Sequence, residues 1–190
     1  RGEKSVAFRE QHAHPSREVY FAGVWDTVGA MGIPFSFLGL FDDKDEFYDS
    51  KIGSNLRIAR HAMAIDEYRR DFEPTIWIPR ENLDIQQVWF SGAHSNVGGS
   101  YKPDPDGSLL SDLPLEWMVK HAKRAGLSVE AHLIKETSPN PLATAHNSRR
   151  KFYRIRDKLF RPIDHGKGPV LIHRSVKQRW DQDKNYRPKN

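Results

Sequence analysis

Two residues stand where they would do acid–base chemistry. Asp26 lies in Gly23-Val24-Trp25-Asp26-Thr27-Val28-Gly29, directly after an apolar run. His94 lies in Trp89-Phe90-Ser91-Gly92-Ala93-His94-Ser95-Asn96-Val97-Gly98-Gly99, directly after another. A histidine that takes a hydroxyl proton, and a carboxylate that fixes its tautomer, are two of the three parts of a serine-hydrolase triad. Acid first and histidine second fits a chain order in which the serine has already passed. No Gly-x-Ser-x-Gly occurs in the 190 residues. The expectation is a nucleophile upstream of residue 1 and a chain that is a fragment.

The same residues have plainer readings. Asp26 before Thr27 is also a turn or cap sequence, and His94 alone is also an ordinary loop histidine. A metal reading would join His12, His14, His94 and Asp26, but their spacing matches no standard zinc pattern. Thr27-Val-Gly-Ala-Met-Gly has neither a Gly-x-Gly-x-x-Gly nor a Walker lysine, so no nucleotide site is expected. We therefore expect no cofactor and no metal.

The elements that would hold the pair follow from pattern. Residues 1–16 are polar and read as a loop or the end of a lost element. Residues 19–25 and 85–90 are short apolar runs rich in β-branched and aromatic residues, as in strands buried on both faces of a parallel sheet. Gly92, Gly98 and Gly99 would allow the tight turns that aim an imidazole back over the sheet. Residues 35–52 alternate Phe35, Phe37, Phe41, Phe47 and Tyr48 with acids and read as a long loop. Residues 54–72 read as a helix, with Ile58, Ala62 and Ile65 at i, i+4 and i+7. Asp66 and Glu67 read as surface ion-pair partners of Arg69 and Arg70, the alternative being a supporting role behind the site.

A second helix opens at Ser111 as N-cap with Asp112 after it. It carries Leu115, Met118, Ala122 and Ala125 as its stripe and ends at Gly126. Residues 127–134 read as a further strand. Beyond Pro139 the pattern weakens, although Phe152, Tyr153, Ile155 and Leu159 are spaced through a short basic segment.

Composition sets limits on this reading. Hydrophobic residues make up 37% and charged residues 29%, and the net charge of +5 hides an asymmetry. Residues 137–190 carry 14 Lys and Arg against 4 Asp, whereas residues 1–136 carry 16 basic and 21 acidic residues. A basic tail would meet phosphate on lipid headgroups or nucleic acid, or would simply be solvated. There is no cysteine, which excludes disulfides and thiolate catalysis. No stretch reaches the roughly 18–20 apolar residues of a membrane span.

Several ordered motifs resemble one family. Phe21-Ala-Gly-Val-Trp-Asp-Thr-Val-Gly-Ala30 resembles the acid motif of the α/β-hydrolase domain family numbered 2235, which includes the catalytic domain of type VI secretion lipase effectors. His61-Ala-Met-Ala-Ile-Asp-Glu67, with Arg69 and Phe72-Glu-Pro74, resembles that family's helix between acid and base. Gln87-Val-Trp-Phe-Ser-Gly-Ala-His-Ser-Asn-Val-Gly-Gly-Ser-Tyr101 resembles its histidine motif. Leu110-Ser-Asp-Leu-Pro-Leu-Glu-Trp-Met118 is similar to the helix that follows. Ile172-His173-x-Ser175-Val176, with Arg179 and Tyr186-x-Pro188, is similar to its closing segment. Asn96 and Ser100 depart from the pattern, standing where the family more often has Asp and Gly.

The resemblance implies a partial α/β-hydrolase fold: a mostly parallel sheet flanked by helices, with a basic irregular C-terminal tail. It implies that residues 1–136 are the C-terminal part of a catalytic domain and residues 137–190 the closing segment of the same domain. It implies a Ser-Asp-His triad with Asp26 as acid and His94 as base, and hydrolysis of phospholipid or other esters. Implied partners are a membrane surface, and an immunity or secretion-system protein of the parent. A bacterial effector of this kind would be cytoplasmic in its producer and delivered to a target cell. The alternative is a family member that has lost its serine and serves as a binding domain. Nucleic-acid binding through the aromatics at 152 and 153 is the weakest reading.

Overall fold

The computed structural model describes residues 2–14, 16, 18–28, 52–155 and 157–190. The aromatic segment 35–52, with Gly29, Gly32 and Pro34 before it, falls outside the described residues apart from Ile52. A four-stranded, wholly parallel sheet forms the frame, in the order β1 (Val19–Trp25), β2 (Leu56–Ala64), β3 (Asp84–Phe90) and β4 (Leu171–Ile172). The fold is therefore α/β. Trp25 pairs in register with Ala62, and Ala62 with Val88, so the first three strands finish close to one level. Asp26 and the His94 loop both leave the sheet at that C-terminal edge, where open parallel sheets form their clefts.

β2 corrects the helix expected over 54–72. Ala, Met and Arg favour helices, and the apolar spacing at 58, 62 and 65 suits one. The segment instead lies between β1 and β3, where both faces are covered and no polar alternation is needed. Ala62 and Ala64 face one side with Val88, Phe90, Val97, Trp25, Leu113 and Trp117. Met63 and Trp89 face the other, with Ile65, Ile76, Val176 and Tyr186. Tertiary burial overrides propensity here.

On the first face lie α2 (His94–Gly98) and α3 (Asp112–Arg124). Gly23 lets α3 approach β1, because a Cβ there would lie 2.5 Å from Met118 Sδ. The stripe of α3 is turned from the one expected: Met118 and Ala122 are buried, while Leu115 is exposed and Leu113 and Trp117 pack inward. Ser111 makes no side-chain capping bond. Asp112 accepts from Ser138 N–H at 2.7 Å. At the far end, Gly126 N–H reaches Lys123 O and Leu127 N–H reaches Ala122 O, closing the helix as its glycine suggested.

Two other expectations change. Residues 3–12 form a helix, α1 (Glu3–His12), which buries none of its residues. The strand expected over 127–134 is instead the short helix α4 (Ala131–Lys135), because Leu127 N–H is consumed in capping α3. The C-terminal region is mostly irregular but includes β4 and α5 (Arg174–Gln182). Two of its basic residues are withdrawn from solvent: Arg161 and Arg179 are buried. Among the described residues no helix is long and apolar enough to cross a membrane.

Ser100 has a φ of 97°. That region costs any residue with a Cβ, and a glycine would sit there without strain. Ser100→Gly is therefore expected to raise stability by about 1 kcal/mol, read as a higher urea midpoint. An unchanged or lower midpoint would show that the turn is held at no cost.

Candidate active site

Asp26 follows the last residue of β1. Its N–H donates to Ala62 O at 2.7 Å, which carries the ladder one step past the strand. Its φ of 42° lies in the left-handed region, which Asp tolerates better than most residues. This turn directs the carboxylate inward, where it is 0% exposed. Oδ1 accepts from Ala64 N–H at 2.8 Å and from Arg161 Nη1 at 2.6 Å. Oδ2 lies 2.7 Å from His94 Nδ1 and accepts from Arg161 Nη2 at 3.0 Å. Burial pushes the Asp26 pKa up. The His94 hydrogen bond, the Arg161 charge and hydrogen bonds, and the Ala64 amide together outweigh it and hold the pKa at about 2.

The structure thus brings together the two residues singled out from sequence. A carboxylate on Nδ1 makes Nδ1 the donor and leaves Nε2 free to accept a proton. His94 has its side chain 29% exposed, and its ring makes a T-shaped contact with Phe72 at 5.1 Å between centroids. His12 and His14 are not at this site: His12 ends α1, and both are exposed. Among the described residues no group of three or more acidic or histidine side chains is arranged to hold a metal ion.

The loop carrying His94 is fixed by acids expected at the surface. Asp66 Oδ2 accepts from Gly92 N–H at 2.6 Å and from Tyr186 Oη at 3.0 Å. Glu67 is fully buried, and its Oε2 accepts from His94 N–H at 3.2 Å. The rest of the Glu67 carboxylate takes Arg69 and the Ser148 hydroxyl. Burial raises its pKa, and those partners more than reverse the effect. Gly92 has a φ of 103°, and a Cβ there would meet Asn96 Cβ at 2.5 Å. Only glycine makes that turn without displacing the loop.

Asn96, one of the departures from the family pattern, is matched to its surroundings. Its Oδ1 accepts from Ala93 N–H and His146 N–H, and its Nδ2 donates to Thr144 O at 3.0 Å. A carboxylate has no donor for that last carbonyl. At this one position the loop is braced by an amide rather than by a charge.

The roles of three participants were not read from the sequence. Arg161 is 0% exposed and joins Asp26, Ala64 O and Phe72 O. Nothing in the basic segment around it marks it out. The only available signal was that a buried carboxylate needs a counter-charge. Phe72 covers His94, and Arg69 lies over the Phe72 ring at 3.4 Å. His61, hidden in the mistaken helix, accepts from Thr27 N–H through Nε2 at 3.2 Å and so steadies the turn after Asp26. Burial lowers the His61 pKa to about 4, against the opposing charge of Asp26.

A family model described as "T6SS, Phospholipase effector Tle1-like, catalytic domain" matches residues 2–121, which is more than half of the chain. No curated protein matches. A solved structure titled "Crystal structure of an uncharacterized protein from Pseudomonas aeruginosa" is similar with a TM-score of 0.42 and 22% identity. The alignment covers 65% of this chain and 21% of that one, so the chain spans about a fifth of that protein's length.

The buried histidines set an acid limit on stability. His61 is protonated near pH 6.5 when unfolded but only near 4 when folded. The unfolded chain therefore binds more protons between those values, and stability falls as pH is lowered through that window, by on the order of 3 kcal/mol from His61. His173, lowered to about 4 by burial, adds in the same sense. Asp26 acts below that, its contribution fading between the ordinary Asp value of about 4 and 2. Urea midpoints at pH 7 and 4.5 should differ, and less so in His61→Gln. Equal midpoints in the wild-type chain would rule out a neutral, buried His61.

Proposed function

The chain belongs to the family of Tle1-like phospholipase effector catalytic domains of type VI secretion, and from that premise we propose that it supplies the acid and base of a serine ester hydrolase. Its substrates are membrane glycerophospholipids. In this reading residues 1–136 are the C-terminal part of the catalytic domain, residues 137–190 close the same domain, and the serine lies outside these 190 residues. The single observation that supports it best is the 2.7 Å contact between His94 Nδ1 and Asp26 Oδ2, with His94 partly exposed.

The mechanism follows from that geometry. His94 Nε2 accepts the serine proton as the serine oxygen attacks the ester carbonyl. Asp26 holds the ring in the tautomer with the proton on Nδ1 and stabilises the imidazolium as it forms. His94 then returns the proton to the leaving alcohol, which leaves an acyl-enzyme. A water, deprotonated by the same nitrogen, releases the fatty acid. The Glu67 contact holds the His94 backbone, and the T-shaped Phe72 contact holds the ring, through both half-reactions. A membrane surface is the partner this substrate requires. An immunity or secretion-system protein belongs to the parent's delivery.

Two experiments test this reading. In the intact parent, His94→Ala and Asp26→Asn should each lower phospholipid hydrolysis by about three to four orders of magnitude, with lipid binding retained. Full activity in His94→Ala would remove the assignment. The 190-residue chain alone should show no esterase turnover above background. Turnover that disappears in His94→Ala would point to a nucleophile within the chain. A parent with no serine at an elbow, and no hydrolysis, would favour the alternative of a binding domain descended from an enzyme.

A further inference from the structure

The least expected feature of the site is a third charge. Arg161 grips both oxygens of Asp26, at 2.6 and 3.0 Å, and shares Oδ2 with His94. Its remaining contacts to Ala64 O and Phe72 O tie the end of β2 and the residue covering His94 to the same guanidinium. The Arg161 carbonyl accepts from Asn190 Nδ2, which also donates to Ile65 O, so the head group enters from a backbone that is itself fastened. Orienting a histidine needs only one carboxylate oxygen. A fully buried bidentate arginine on that carboxylate does something else.

We propose that Arg161 is a positioning residue that fixes the charge of the Asp26–His94 pair. It keeps Asp26 ionised, and it offsets the negative charge that would otherwise draw a proton onto His94 before substrate arrives. The proposal rests on the reading of His94 as the base. A base must be neutral in the resting site, and a buried carboxylate in contact with an imidazole favours the imidazolium. The guanidinium cancels much of that field and leaves the orienting hydrogen bond in place.

The other charged or titratable groups near the pair do not replace this role. His61 on β2 is buried beside Asp26, and burial keeps it neutral. Glu67 faces the His94 amide but is paired with Arg69. Arg69 itself lies over the Phe72 ring, which Tyr153 also meets at 6.3 Å. Arg161 is the buried cation in direct contact with the acid.

The test is an NMR titration of the 190-residue chain with labelled histidine and arginine, which needs no catalysis. Arg161→Met should raise the pH midpoint of His94 by about one unit or more. Arg161→Lys, which keeps a charge, should bring it back to within roughly half a unit of wild type. A folded Arg161→Met chain with an unmoved His94 midpoint would overturn the proposal and leave Arg161 a purely structural clamp. Should that variant not fold, the wild-type guanidinium decides. Its Nη resonances should titrate with the His94 midpoint, because both groups bind Oδ2, and resonances flat through that midpoint would overturn the proposal equally. These outcomes are independent of the hydrolysis assay. A shifted midpoint in a chain whose parent stays active without His94 would sink the catalytic reading and not the charge assignment.

Discussion

The ion pair between Arg161 and Asp26 is the constraint around which the site is arranged. Taking a carboxylate fully out of water costs several kcal/mol unless a counter-charge and hydrogen bonds replace the solvent. All of that replacement is present: two guanidinium nitrogens, the Ala64 amide and the His94 ring. The pair adds little net stability of this kind, yet loss of one partner would leave an uncompensated buried charge at a cost of about 3–5 kcal/mol. Acid, strand end and covering turn therefore keep one arrangement, because each is bonded to the same cation.

His94 is held by a different device. His94 sits on a five-residue helix, too short to be stable alone. Its position comes from outside, with Asp66, Glu67 and Asn96 accepting from the amides of Gly92, His94 and Ala93 respectively. The neighbours Asp66 and Glu67 divide the work. Asp66 links the loop to Tyr186 of the closing segment, and Glu67 links it to Arg69 and Ser148. Asp26 is thus fixed by a buried cation, and the His94 loop by hydrogen bonds from its backbone amides to two carboxylates and an amide.

How much of this was legible in the sequence depended on whether the cause was local. Strands β1 and β3 announced themselves as apolar, β-branched and aromatic runs, and the motifs around Asp26 and His94 gave both residues of the contact. The turn at Gly92 could be anticipated because a glycine's backbone freedom is a local property. β2 was misread because alanine and methionine carry helix propensity wherever they stand, while its strand state comes from neighbours on both sides. The burial of Glu67 and the place of Arg161 were missed for a related reason. A charged residue reads as solvated until its partner is known, and the partner of Arg161 lies 135 positions away. Asn96 looked like a weakened family position, and only the carbonyl of Thr144 beside it explains the amide.

That separation has a kinetic side. The bonds that lock the site join residues far apart in the chain: Asp26 to Arg161, Asp66 to Tyr186 and Ile65 to Asn190, at 135, 120 and 125 positions. Loops of that length are entropically costly to close, and contacts of this kind form slowly. On a ribosome the parallel strands β1 to β3 are all outside before Arg161 is even made. Asp26 and His94 therefore leave the ribosome before the residue that clamps them. The contacts of Asp26 are complete only when Arg161 folds back onto the end of β2.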